Sequence, residues 1–209
     1  MSQKTDFSKL SAPYLSFEQI QDSVNEINSK LEISTIPIDP ELISEKMGIS
    51  IVPISHLFEK YSVEALLIYK KKEILIDLGH YEDDRYWFRS KFSLAHELGH
   101  YVLHSQLYEK ITFSEISDWI EFQKETPEHV IDRLEFHANE FAGRLLVPCS
   151  VLIKDVQQWF DLCSFKFGKS NELEHFEEVV HALSRKFEVS AQVIEVRLRK
   201  EKVLEKLLS

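Results

Sequence analysis

Two histidines four residues apart, with a glutamate directly after the first, form the stretch of this sequence best suited to chemistry. They are His96, Glu97 and His100, within S-K-F-S-L-A-H-E-L-G-H-Y-V-L-H over residues 90–104. Residues four apart in a helix lie on one face, so both imidazoles can reach one Zn²⁺ at about 2.0–2.1 Å. Glu97 is rotated by about 100° from His96, which places it beside the metal. The spacing predicts a zinc site whose bound water is deprotonated by Glu97 as catalytic base.

A third protein ligand is expected, because a catalytic zinc usually takes three and leaves its fourth position to water. The helix predicted after residue 126 carries several acids and histidines. The candidates on it are Glu128, His129, Asp132, Glu135, His137 and Glu140. Glu135 shares its face with Ala138 and Ala142, whose small side chains allow another helix to come close. Gly99 permits the same approach from the first helix, and we therefore predict Glu135 as the third ligand.

Two neighbours of Glu135 receive different predictions. Glu140 shares a helix face with Arg133 and Arg144, which is the arrangement of a solvent-exposed row of ion pairs. We expect Glu140 to be such an exposed charge and to lie away from the metal. Asn139 follows Glu135 by one turn, where its amide can hydrogen-bond a metal ligand.

His104, one turn beyond His100, has three possible roles that the sequence leaves open. As a fourth ligand it would close the site and make the zinc structural. It could instead hydrogen-bond a ligand or stabilise an oxyanion, or simply favour the negative end of the helix dipole. The sequence offers further oxyanion-stabilising candidates without choosing among them. These are Tyr86, Tyr101, His129 and His137.

Composition limits the class of protein. The 209 residues are 44% hydrophobic and 29% charged, as in ordinary globular proteins, and the formal net charge of −10 argues against a direct nucleic-acid binder. The two cysteines, Cys149 and Cys163, do not form a C-x-x-C pair. This fits a reducing compartment, and no run approaches the roughly 18 apolar residues of a membrane span. We expect a cytoplasmic protein with no membrane contact.

Periodicity and turn residues predict an α+β fold that is mainly helical. A capping box at Ser16 and the Asp39-Pro40 pair begin two helices. Short apolar runs over 49–54, 65–69 and 74–76 predict a small antiparallel or mixed β-sheet packed on the H-E-x-x-H helix. We assign 16–163 to a metallopeptidase core and 170–209 to a C-terminal helical subdomain packed on it, with a loop over 164–171 between them.

The motif extends beyond its five residues and resembles a known family. The sequence reads R-S-K-F-S-L-A-H-E-L-G-H over 89–100 and E-F-H-A-N-E-F-A-G-R-L-L-V-P over 135–148. Both segments resemble those of the ImmA/IrrE family of zinc metallo-endopeptidases. The resemblance implies His96, His100 and Glu135 as zinc ligands and Glu97 as the base. The sequence departs from the family pattern at Val147, where methionine is common, and in its long connection over 105–130.

What the resemblance implies about function is cleavage of a DNA-binding transcriptional repressor, which would derepress mobile-element or stress genes. Such peptidases usually bind an extended substrate along an edge strand, and we predict the strand Ile74–Asp77 as that edge. Two alternatives remain. The C-terminal helices over 179–187 and 191–202 have the spacing of a helix-turn-helix and end in basic residues, so the protein could be a DNA-binding regulator. It could also grip a repressor without cutting it, although such a protein has no need of Glu97.

Overall fold

The computed structural model describes residues 6–111, 113–167, 176–203 and 205, of which 163–167 by their backbone alone. The chain divides into two compact units. The first comprises Met1–Ile33 and Asp39–Ala142, and the second Ser34–Ile38 and Gly143–Ser209. The predicted loop over 164–171 begins too early, because the helix before it continues to Phe167, and residues 168–175 lie outside the described part of the chain. The predicted division into 16–163 and 170–209 stays a prediction.

Helices make up most of the first unit. Some of them begin at side-chain caps, and the last runs past Ala142, where this unit ends. The helices are α1 (Phe17–Lys30), α2 (Pro40–Lys46), α3 (Leu57–Tyr61), α4 (Leu78–Tyr81), α5 (Trp87–Leu103), α6 (Ser105–Tyr108), α7 (Ile116–Glu125) and α8 (Glu128–Leu146). The predicted capping box is present: Ser16 Oγ accepts from Gln19 N at 3.3 Å, and Gln19 Oε1 accepts from Ser16 N at 2.8 Å. Asp39 caps α2, with Pro40 at its first position, as predicted.

One three-stranded mixed sheet completes the first unit, which confirms the predicted fold class. Its strands are β1 (Ser50–Ile54), β2 (Ala65–Ile68) and β3 (Glu73–Asp77), in the order β1-β3-β2. β3 runs parallel to β1 and antiparallel to β2. The prediction that Ile74–Asp77 is the edge strand was therefore wrong. That segment is the central strand, because β1 pairs with it from the side opposite to its hairpin partner, and β2 is an edge.

Helix α5 lies against the sheet and is the element around which the unit is packed. Its residues Leu94, Ala95 and Leu98 are fully buried. Asp83 caps the 3₁₀ turn Asp84–Tyr86 that leads into α5. A Cβ added at Gly99 would lie 3.1 Å from the Cα of Ala138, so α5 and α8 approach closely where the sequence predicted it.

The second unit contains α9 (Cys149–Phe167), α10 (Phe176–Phe187) and α11 (Ala191–Lys200). The turn between α10 and α11 places Glu188 in the left-handed region, and Ser190 caps α11. On α11, Arg197 is only 2% exposed, and its Nη2 lies 2.9 Å from Glu201 Oε1. One of the basic residues that favoured a DNA-binding alternative is therefore used inside this unit.

Candidate metal centre

Three side chains from two helices bring their donor atoms to one point. His96 Nε2 and His100 Nε2, one turn apart on α5, are 3.0 Å from each other. Glu135 on α8 places Oε2 3.1 Å from His96 Nε2 and Oε1 3.5 Å from His100 Nε2. Helical spacing produces the first distance, and the close approach of α8 at Gly99 produces the other two.

These distances suit a zinc ion. Ligand bonds of about 2.0–2.1 Å in a tetrahedral arrangement place donor atoms about 3.3 Å apart, which lies within the observed range. Two imidazoles and one carboxylate are also the donor types of open, catalytic zinc sites. His96, Glu97 and His100 likewise offer donor atoms within 4.8 Å of one another. Glu135 is the better candidate for a third ligand, because its oxygens lie within 3.5 Å of both imidazoles. Glu97 then remains available beside the site.

The carboxylates and imidazoles of the cluster shift each other's pKa values towards the charged forms. Burial alone would raise the pKa of Glu135, but the two neighbouring imidazoles outweigh it and lower that pKa below its ordinary value. Burial likewise acts to lower the pKa of His96, yet the carboxylates of Glu135 and Glu97 raise it overall. The site therefore keeps a half-buried carboxylate ionised between two imidazoles, and a cation is a natural partner for this group.

Glu97 lies in a different environment from Glu135. It is 7% exposed, and burial raises its pKa despite the two adjacent histidines. The backbone N–H of Leu67, in the edge strand β2, donates a hydrogen bond to its carboxylate. A raised pKa brings a carboxylate closer to the value at which a general base is most effective near neutral pH. Leu67 was not foreseen from the sequence, because this contact depends on which strand forms the edge.

The other predicted site residues divide into two groups. Asn139 and His104 lie against the ligands: Asn139 Oδ1 is 3.1 Å from His96 Nδ1, and His104 Nδ1 is 3.1 Å from His100 Nδ1. Burial lowers the pKa of His104 to about 2, so this imidazole is neutral. Tyr101 lies elsewhere, with its ring 5.1 Å from that of Tyr69, beside a separate cavity between α1, α2 and α5.

Tyr108, on α6, is a site residue that sequence reasoning missed. Its hydroxyl lies 3.5 Å from His100 Nδ1, and its side chain is buried at the wall of the central cavity. Of the remaining oxyanion candidates, Tyr86 packs on His80 beside a different cavity, and His129 is exposed. The sequence signal that could have identified Tyr108 is its position four residues after His104, which was itself predicted as a possible contact of a metal ligand.

The prediction for Glu140 was wrong. Glu140 is 5% exposed and not a solvent-facing charge. A row of acid and base at four-residue spacing indicates an ion-pair face, but it does not say whether that face is covered. On α8 several nearby side chains are buried as well, although Phe136 and Asn139 are exposed. Those buried residues are Leu134, His137, Ala138, Phe141 and Ala142.

A cleft of about 430 Å³ passes over the donor atoms. Its walls come from β2, α5, α7 and α8, and they include Ala65, Leu67, Arg89, Trp119 and Ile131. The connection over 105–130, noted as long in the sequence, supplies the Trp119 wall. The site is therefore open to a ligand much larger than water.

Comparisons with known proteins bear on the fold and on the family of this chain. A solved structure of a Mycobacterium tuberculosis transcriptional regulator has a TM-score of 0.53 and 18% identity, and the match covers 86% of this chain and 55% of that one. At this identity the likeness concerns the fold alone, and this chain spans about half the length of that relative. A search of curated proteins found no match. No helix in the described residues is long and apolar enough to cross a membrane. The family model of the IrrE N-terminal-like domain, Peptidase_M78, matches residues 88–199, more than half of the chain, and the protein belongs to that family.

Proposed function

We propose that this protein is a zinc-dependent endopeptidase that acts in the cytoplasm. The observation that carries the proposal is the convergence of His96 Nε2, His100 Nε2 and the Glu135 carboxylate at 3.0–3.5 Å, with Glu97 buried beside them. Membership of the Peptidase_M78 family supports the same reaction. The cleft over the donor atoms supplies room for a peptide.

The residues would divide the chemistry between them. His96, His100 and Glu135 would hold the ion, which when bound acidifies water and polarises a carbonyl. Glu97 would take the proton of the attacking water at its carboxylate and later pass it to the leaving amine. The N–H of Leu67 would hold that carboxylate in place between the two transfers. Asn139 would accept from the Nδ1–H of His96 and so keep its Nε2 free for the ion.

The edge strand β2 offers a path for an extended substrate. Asp77 N donates to Glu64 O, so with the antiparallel register the backbone groups of Glu64, Leu66 and Ile68 point towards β3. Those of Ala65 and Leu67 therefore point outward, and both residues line the cleft. A peptide could add to this edge as a further strand and lie across the donor atoms.

The proposed substrate is a DNA-binding transcriptional repressor, and this part rests on the family resemblance. Direct DNA binding by α10 and α11 is disfavoured, because Arg197 is buried in an ion pair with Glu201. Binding to a repressor without cleavage is also disfavoured, because Glu97 is retained in the position of a base.

The test is cleavage of a proteome-derived peptide library by the zinc-loaded protein, with products read by mass spectrometry. New termini should appear with wild type and not with Glu97→Gln, which cannot accept the proton but should keep the ion. The same variant should retain an intact substrate in a pull-down. Equal cleavage by both proteins would remove Glu97 from the mechanism, and no cleavage by either would favour the binding-only alternative.

A further inference from the structure

A buried row of three histidines begins on the Nδ1 side of His100, whose Nε2 is the proposed ligand atom. His100 Nδ1 is 3.1 Å from His104 Nδ1, and His104 Nε2 is 3.3 Å from His137 Nδ1. The three side chains are 4%, 1% and 2% exposed. Each of the two contacts thus joins imidazole nitrogens within hydrogen-bonding distance in side chains that are almost fully buried, and His137 also borders a surface cavity.

The chemistry of neutral imidazole gives the row a direction. One ring nitrogen of a neutral histidine carries a proton and the other accepts. If His100 binds a metal through Nε2, its proton is on Nδ1 and must be donated to His104 Nδ1. His104 then carries its own proton on Nε2 and donates it to His137 Nδ1. One bound cation would therefore set the tautomers of all three rings.

The helices explain why this row exists. His104 lies one turn after His100, at the C-terminal end of α5. His137 lies two residues after Glu135 on α8, so the two side chains project about 200° apart around that helix. Helix α8 therefore brings the proposed ligand Glu135 to the site from one of its faces. From another face it brings His137 into contact with His104, the hydrogen-bond partner of His100.

We propose that His137 is a positioning residue that acts through His104 to fix the tautomer and ring orientation of the metal ligand His100. This inference rests on the proposed zinc site. Tyr108 is the competing partner, but its hydroxyl is farther from His100 Nδ1, at 3.5 Å against 3.1 Å. Hydrogen-bond partners of metal-binding histidines typically change metal affinity by about 10–100-fold when removed.

The experiment measures zinc affinity by competition with a chromogenic chelator. His137→Leu should weaken zinc binding measurably, but by no more than the roughly 10–100-fold loss that follows removal of a direct hydrogen-bond partner, because His137 acts one step further away, through His104. His137→Asn should recover most of this loss, because the Asn side chain can present an acceptor near the position of Nδ1. Matched controls are His129→Leu and His129→Asn, at an exposed histidine two turns earlier on α8, and both should bind zinc as wild type does.

Several outcomes would overturn the inference. Unchanged affinity in His137→Leu would do so, as would equal losses in the Leu and Asn variants, which would indicate packing alone. If the variants do not fold, imidazole ¹⁵N chemical shifts of the zinc-loaded wild type decide the matter. Protons on His100 Nδ1, His104 Nε2 and His137 Nε2 are expected, and a proton on His104 Nδ1 contradicts the row.

The same measurements separate this inference from the proposed function. A wild type that binds no zinc removes the metal site and this inference together. A wild type that binds zinc and shows the expected tautomers but cleaves no peptide removes the peptidase proposal and leaves the histidine row supported.

Discussion

Replacing Gly99 by alanine tests the close approach of α5 and α8 that brings Glu135 to the two histidines. The added Cβ would lie 3.1 Å from the Cα of Ala138 and from Cβ and Cδ1 of Phe141. Ordinary carbon contacts are about 3.5–4.0 Å, so the overlap is about 0.4–0.9 Å. The backbone Cα of Ala138 cannot turn away, and the two helices must separate to relieve it.

The magnitude follows from two opposing effects. Overpacking of this kind costs about 1–3 kcal/mol, and the better helix propensity of alanine offsets up to about 1 kcal/mol. Gly99→Ala should therefore lose about 0–3 kcal/mol of unfolding free energy in the metal-free protein. At this chain length each kcal/mol lowers Tm by about 2–4 °C. Zinc retention should fall more clearly, because metal–ligand distances tolerate only about 0.2 Å of displacement.

Gly143→Ala is the matched control. It lies within α8, and among the described residues its added Cβ would meet the Cδ of Arg197 at 3.3 Å, which is a side-chain atom and not backbone. It should leave stability unchanged or raise it by up to about 1 kcal/mol, and zinc retention should match wild type. Thermal unfolding and zinc release to a chelator measure both effects. Wild-type stability and zinc retention in Gly99→Ala, or equal losses in the two variants, would refute the packing argument.

Three further predictions concern single carboxylates. Glu135→Gln should release zinc faster under mild chelation, whereas Asp132→Asn, at an exposed acid on the same helix, should match wild type; the opposite order would exclude Glu135 as a ligand. Glu97→Gln should keep one zinc per chain by elemental analysis and lose about 10²–10⁴-fold or more in cleavage rate. Asp77 accepts two backbone N–H bonds at 2.9 and 3.0 Å, which outweigh its burial and lower its pKa. Asp77→Ala should lower the free energy of unfolding by about 1–3 kcal/mol above about pH 4, as measured by urea unfolding. A lowered native pKa stabilises only the ionised carboxylate. The difference in unfolding free energy between wild type and variant should therefore shrink as acid protonates Asp77 in the native state.

Local sequence is sufficient for the parts of this protein that depend on residues close in the chain. The four-residue spacing of His96 and His100 places their imidazoles on one helix face, and Ser16 and Asp39 mark where helices begin. The hairpin of β2 and β3 follows from two apolar runs joined by a short basic segment. These features depend on backbone geometry and hydrogen bonds within a few residues, which every stretch of sequence carries with it.

Tertiary structure decided the rest, because a sequence pattern shows which face of an element is apolar but not which other element covers it. The pairing of β1 with β3 made β2 the edge, and so brought Leu67 to Glu97. The packing around α8 buried Glu140, whose pattern alone indicated exposure. In the row from His100 to His137, the contact between His104 and His137 joins residues 33 positions apart. Each of these depends on contacts distant in sequence, which one sequence does not record.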